Sequence, residues 1–100
     1  MREIVLRPKA FSDLESIWLY TYEKWGEEQA GRYLGQLNDR ITSLAETAEQ
    51  GRSREALRSG YFSIHVGRHV VFYTLTDEIV GIERVLHDQM DFGRHLPTEA

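Results

Sequence analysis

The sequence predicts an α+β domain: a first strand, an antiparallel helical hairpin, then a three-stranded antiparallel meander, forming one small sheet covered on one face by the helices. Three observations predict it. Two long stretches carry apolar residues at three- and four-residue spacing, the period changes to two at Tyr61, and a short branched segment near the start is closed by Pro8.

Glu3 to Arg7 is rich in branched apolar residues and ends where proline can no longer donate to a ladder, so it reads as a strand. Its backbone groups need a partner, which predicts that it joins the meander. From Phe11, the series Phe11, Leu14, Trp18, Thr21 or Tyr22, and Trp25 lays a stripe along a first helix, with Ser12 or Asp13 at its positive end and Gly26 as its stop. Ala30, Leu34, Leu37, Ile41, Leu44 and Ala48 form a cleaner stripe on a second helix ending at Gly51. The link at Gly26 and Glu27 is so short that the helices must run antiparallel, stripes facing a common surface. Phe62, Ile64 and Val66 then alternate with Tyr61, Ser63 and His65 as a half-buried strand, Gly67-Arg68 turns the chain, and His69 to Thr76 follows as a second strand. Asp77-Glu78 leads into Ile79 to His87. Met90, Phe92 and Leu96 in the polar C-terminal stretch permit a short turn or helix returning to the sheet.

One hundred residues suit one domain, assigned to 1–96, with 97–100 as a flexible tail. There is no cysteine, which excludes disulfides, thiolate metal sites and a cysteine nucleophile. Apolar runs such as Val70 to Tyr73 fall far short of a membrane span, and no secretory signal is visible, so a cytoplasmic location is expected. Twelve Lys plus Arg against sixteen Asp plus Glu give a net charge of −4. That balance argues against a nonspecific nucleic-acid binder, and no DNA-reading motif is present, so the expected partner is protein.

Between Arg52 and His69 the charge is locally basic: Arg52, Arg54, Arg58 and Arg68 face a single acid, Glu55. Such a cluster is either a solvated loop or a dock for an acidic segment. The four histidines, at 65, 69, 87 and 95, lack ligand spacing, so neither a metal nor any other cofactor is expected. No phosphate loop, dinucleotide fingerprint or nucleophile elbow occurs. Trp18, Tyr20, Tyr22, Trp25 and Tyr33 exceed what one narrow stripe can bury, so they either close the ends of the hairpin and pack on the sheet or form an anchor groove for a partner's helix or strand.

Several strings, in this order, resemble the ParE branch of the ParE/RelE toxin superfamily of toxin–antitoxin modules. They are Asp13-Leu14-x-x-Ile17-Trp18-x-x-Thr21-x-x-x-Trp25-Gly26 with Ala30 and Tyr33-Leu34, then Leu57-Arg58-x-Gly60-Tyr61 and Gly67-Arg68-His69-Val70-Val71-Phe72-Tyr73. Arg84-Val85-Leu86-His87, Met90-Asp91 and Arg94-His95-Leu96 complete the set. The resemblance implies a RelE/ParE-like fold and the toxin of a type II system. It implies growth arrest by inhibition of DNA gyrase, and neutralisation by a ParD-like antitoxin in a hetero-oligomeric complex. The alternatives are a RelE-like ribosome-dependent mRNA endoribonuclease and an inactive homologue that only binds antitoxin. RelE-type members use basic residues on the middle strands and an arginine with a tyrosine or histidine near the C-terminus. Strand matching puts Ser63, His65, Val70, Asp88 and Phe92 at those positions, so the supports for RNA cleavage are mostly missing and a non-enzymatic, binding toxin without catalytic residues is expected.

On this reading Trp18, Tyr22, Trp25 and Tyr33 are antitoxin anchors, with Arg54, Arg58 and Arg68 meeting its acidic groups. Arg84, His87, Met90, Asp91 and Arg94 are the candidate target-binding residues.

Overall fold

The computed structural model describes residues 1–96; the tail expected at 97–100 lies outside the described residues. The elements are β1 (Glu3–Leu6), α1 (Pro8–Trp25), α2 (Glu27–Thr47), β2 (Arg52–Ser53), β3 (Tyr61–Val66), β4 (His69–Leu75), β5 (Ile79–His87) and α3 (Phe92–His95), with a 3₁₀ turn over Ala48–Gln50 after α2. The five strands form one sheet in the order β1-β5-β4-β3-β2. The expected meander is β3-β4-β5, antiparallel throughout, and β1 joins its β5 edge in parallel, Glu3 opposite Ile79. Parallel pairing follows from the crossover: the helical hairpin and the first half of the meander separate the two strands.

Helix α1 begins at Pro8, where the missing N–H is an orphan in any case, so the expected role of Ser12 or Asp13 at its start does not apply. Gly26, at φ 93°, ends α1 and opens α2, which makes the hairpin connection as short as expected. The α2 stripe is buried as read, Ala30, Leu37, Ile41, Leu44 and Ala48 inward with Leu34 beside them. Against it pack Val66, Val71, Tyr73, Val80, Ile82 and Val85 from the sheet. Tyr73 donates its hydroxyl to the Ala48 carbonyl at 2.7 Å, a buried polar tie within that core.

The hairpin covers one face of the sheet and the C-terminal residues return to it as a short helix, both as expected; two details are corrected. First, β3 is not half-buried, because the other face of the sheet is covered as well. Tyr61, Val70, Phe72 and Leu86 form a second cluster closed by Leu57, Phe92 and Leu96, because α3 and the β2–β3 loop fold over the face turned away from the helices. Second, the α1 stripe points elsewhere. Ala10, Ile17 and Thr21 are buried with Leu14 beside them, while Phe11, Tyr22 and Trp25 are exposed. The core side of α1 is built from small residues that let the helix approach closely, and the large residues sit roughly a quarter turn away.

Strand β5 carries a bulge: Phe72 pairs with Arg84 but Tyr73 pairs with Ile82, so Glu83 has no opposite number. The extra residue resets the side-chain alternation. Ile82 and Val85, three residues apart, therefore both reach the helix-side core. Beyond Ile82, where pairing with β1 has ended, the Val85 amide donates to Asp13 Oδ2 of α1 at 2.9 Å.

Candidate functional site

Helix α1 has two apolar stripes and the fold covers one. On the outward side lie Phe11, Trp18, Leu19, Tyr22 and Trp25, continued onto β1 by Leu6; all are exposed except Trp18, which is half-buried. Trp18 and Tyr22 are ring neighbours at 6.1 Å. A groove of about 420 Å³ runs between Leu6, Phe11, Leu14 and Trp18. A monomer gains nothing from a contiguous apolar ridge of this length, whereas a partner surface does.

At the end of the ridge is a cleft of about 410 Å³, walled by the last turns of α1, the first turns of α2, the β3–β4 turn and the end of β5. Its floor is built around Tyr33, His69 and His87. Tyr33 Oη lies 2.6 Å from His69 Nδ1 and 3.3 Å from the Val66 carbonyl, and it accepts from the Arg68 amide at 3.1 Å. The hydroxyl thus fastens α2 to the β3–β4 turn. Gly67, at φ 59°, occupies the turn because a side chain there would be strained and would meet the Tyr33 ring at 2.7 Å. His69 lies edge-on to His87, ring centroids 5.4 Å apart. Burial, and then the neighbouring His87, push the His69 imidazole below its usual value, against weaker pulls upward from Asp88 and Asp13, which favours the neutral ring. Burial raises the Tyr33 phenol, which keeps it protonated. At the rim, Lys24 leans on Tyr20, its Nζ 3.2 Å from the hydroxyl.

Below His87, Asp88 lies between two imidazoles, Oδ2 3.3 Å from His65 Nε2 and Oδ1 3.4 Å from His87 Nδ1. His87 Nδ1 accepts from the Gln89 amide at 3.2 Å, and Asp88 Oδ1 is buried without a hydrogen-bond donor among the described residues. No group of three or more His, Asp or Glu side chains among the described residues is arranged to hold a metal ion.

Three arginines fasten the C-terminal turn. Arg84 donates to the His95 carbonyl at 2.5 Å and grips Asp13 with Nε at 2.8 Å and Nη2 at 2.9 Å; these bonds to the carboxylate hold its pKa above the ordinary arginine value. Arg58 donates to the Gly93 carbonyl at 3.4 Å. Arg54 lies over the rings of Phe72 and Phe92, at 5.6 and 5.5 Å, and donates Nε to Ser63 Oγ. Burial and the nearby Arg52 lower its pKa.

The cleft therefore brings together Trp25, Tyr33, Arg68 and His87 from the expected set. Trp18 and Tyr22 lie on the ridge instead. Arg54, Arg58 and Arg84 are engaged with α3 and the second apolar cluster, and Met90, Asp91 and Arg94 are exposed around that turn. The cleft also holds Tyr20, singled out in the sequence as one of the excess aromatics, together with Thr21, Lys24, Gln29, His69 and Gln89, which were not assigned to a site. Of these, His69 carried a signal in its place directly after the Gly67-Arg68 turn.

Residues 4–92 match the family model for the ParE toxin of the type II toxin–antitoxin system parDE. The chain belongs to the ParE toxin family. It is 40% identical over 93 residues to Toxin ParE1 of Mycobacterium tuberculosis, covering 92% of this chain and 95% of that protein. Toxin ParE1 of Caulobacter vibrioides is 41% identical over 96 residues, covering 96% and 99%. Among solved structures, the chromosomal ParDE system from P. aeruginosa aligns with a TM-score of 0.77 at 19% identity, over 87% of this chain and 96% of that one. A YoeB-YefM complex from Staphylococcus aureus aligns at 0.57 and 20% identity, over 87% and 97%. The fold of this ParE-family toxin is thus shared with toxins solved in toxin–antitoxin complexes, and no helix among its described residues is long and apolar enough to cross a membrane.

Proposed function

We propose that this toxin arrests growth by binding DNA gyrase, and that a ParD-like antitoxin neutralises it by covering the outward stripe of α1. The observation that carries the reading is that stripe: Phe11, Leu19, Tyr22 and Trp25 are large, apolar and exposed on a helix whose other side already fills the core. An amphipathic helix of the antitoxin laid along it would bury the ridge, with Trp18, Tyr22 and Trp25 as anchors and with Tyr33 and Arg68 at the far end. Gyrase is the target that the family resemblance implies, and His87, Met90, Asp91 and Arg94 are the groups proposed to meet it. Arg84 serves that surface indirectly, by holding the His95 carbonyl.

Binding is favoured over RNA cleavage by what fills the sheet face away from the helices. Val70 is buried there, Phe92 packs against Phe72 at 4.9 Å, and the Ser63 hydroxyl is spent on Arg54. A phosphorane needs converging, accessible cations, and the arginines of this face are spent otherwise, Arg54 on the rings of Phe72 and Phe92, Arg58 on the Gly93 carbonyl and Arg84 on Asp13.

Purified toxin should inhibit gyrase supercoiling in a dose-dependent manner, and antitoxin should reverse it. Leu19→Lys with Tyr22→Lys, both at exposed positions, should leave gyrase inhibition intact and abolish reversal. A folded toxin without effect on gyrase overturns the target, and a doubly substituted toxin still neutralised normally overturns the docking surface.

A further inference from the structure

We propose that the cleft at the tip of the helical hairpin binds a nucleoside phosphate. Its volume of about 410 Å³ falls within the usual range for small-molecule pockets, ~300 to 1,000 Å³. Four features of its lining specify the ligand.

The first is charge. The chain carries sixteen acids against twelve Lys and Arg. The cleft reverses that balance: Lys24 and Arg68 line it beside the imidazoles of His69 and His87, and no carboxylate does. Asp88 and Asp13 act on His69 from outside the lining, and Asp88 faces the far side of His87. A phosphate entering between Lys24 and Arg68 meets two full positive charges, with imidazole N–H groups available below.

The second feature is a planar apolar wall. Trp25 is 65% exposed and lines the cleft, so most of its ring is open to a ligand. A base laid on an aromatic face is held by stacking, whatever the base, because every base has a π-face. Third, Gln29 and Gln89 add side-chain amides to the lining, suited to the donor and acceptor edge of a base. Fourth, the walls are already positioned. Tyr33 is fastened to Val66, Arg68 and His69, and Lys24 rests on Tyr20, so less order has to be created on binding.

The remaining surface limits the ligand to one nucleotide unit. Polynucleotide affinity grows with the number of phosphates neutralised, and outside this cleft the chain has an excess of acid. The unit is either a free mononucleotide or one residue of a single strand. A compact cleft with a base-sized wall favours it over an acidic peptide, which needs an extended groove.

The test needs neither gyrase nor antitoxin, so its outcome is independent of the function proposed above. Trp18→Phe leaves Trp25 as the sole tryptophan, and its fluorescence then reports the cleft. AMP, adenosine, inorganic phosphate, a short oligothymidylate and an acidic peptide are titrated in turn, with calorimetry on the unsubstituted chain as the second measurement. AMP should quench Trp25 saturably and bind about tenfold tighter than adenosine or phosphate. Arg68→Met and Lys24→Met, both at exposed side chains, should bring AMP down to the level of adenosine. The oligonucleotide should match AMP per unit without gain from length, which would show that a single-strand residue is an equivalent source; clearly weaker oligonucleotide binding would assign the site to free mononucleotides. Phosphate equal to AMP, adenosine equal to AMP, a peptide that binds tighter, affinity that climbs with oligonucleotide length, or no binding at millimolar AMP would each overturn the proposal.

Discussion

Replacing Asp13 by asparagine should destabilise the fold by about 3 kcal/mol. Asp13 accepts three hydrogen bonds, from Arg84 Nε at 2.8 Å, Arg84 Nη2 at 2.9 Å and the Val85 amide at 2.9 Å. Asparagine keeps one acceptor oxygen and turns an NH₂ group against a donor, leaving the guanidinium without its counter-charge. Breaking a buried pair from one side costs ~3 to 5 kcal/mol. Both side chains here retain 15% exposure, which places the effect at the lower end. At roughly 1 kcal/mol per molar for a domain this small, the urea midpoint should fall by about 2 to 3 M. The melting temperature should drop by at least about 12 °C. Asp13→Leu combined with Arg84→Met should lose much less than the sum of the single changes, because the buried charges leave together and the residual penalty is the unpaired Val85 amide and His95 carbonyl. A loss below about 1 kcal/mol for Asp13→Asn would show that the pair behaves as a surface salt bridge, and would remove the reason given for the position of α3.

Three further outcomes follow from single side chains. His69 titrates below 6.5 in the folded chain, so the unfolded chain takes up a proton that the fold resists; its contribution to stability is complete above about pH 6.5 and declines as pH falls from there towards the folded value. His69→Asn, which keeps an acceptor near the Nδ1 position, should flatten urea stability between about pH 7 and about pH 5, and parallel profiles for the two proteins would refute the assignment. Arg54→Lys should cost about 1 kcal/mol in urea unfolding, by losing the ring contacts and the Ser63 bond while keeping the charge, and Arg54→Met should cost less; the reverse order would show that charge rather than stacking holds it. A Cβ at Gly51 would sit 1.8 Å from Tyr73 Oη, so Gly51→Ala should lose ~1 to 3 kcal/mol, partly recovered by Tyr73→Phe, and strict additivity of the two changes in a double-mutant cycle would contradict the clash.

The α2 stripe was fully legible because its large residues are also its buried ones. On α1 the two properties separate. Periodicity of size picked out Phe11, Trp18, Tyr22 and Trp25, yet close packing selected Ala10, Ile17 and Thr21 for the core. Hydrophobic period alone cannot distinguish a stripe that packs at home from one kept for a partner. The double-sided sheet did leave a trace: Val70, Val71, Phe72 and Tyr73 are consecutive apolar residues, the signature of a strand buried on both faces, and all four are buried. The bulge at Glu83 left none, because a ladder offset depends on the opposite strand. The cleft was illegible for a similar reason. Lys24, Gln29, Arg68 and His87 come from different elements, and only the pairing of β3, β4 and β5 beneath the hairpin makes them neighbours.

The arginines show how charge clusters in sequence divide in space. Arg54, Arg58 and Arg84 turn inward to secure residues 92–96, whereas Arg68 stays at the tip of the hairpin. What the fold leaves for partners is thereby concentrated along α1 and at the cleft, and the two regions meet at Trp25. If both proposals hold, an antitoxin anchored on Trp25 would cover the wall on which a base would stack. Antitoxin binding and cleft occupancy would then compete for one indole, and linkage would require each ligand to weaken the other by the same factor. The level of nucleotide would set how tightly the toxin is held, and the loss of that coupling on Trp25→Ala, with both partners still measurable at their remaining contacts, would identify the indole as the shared element.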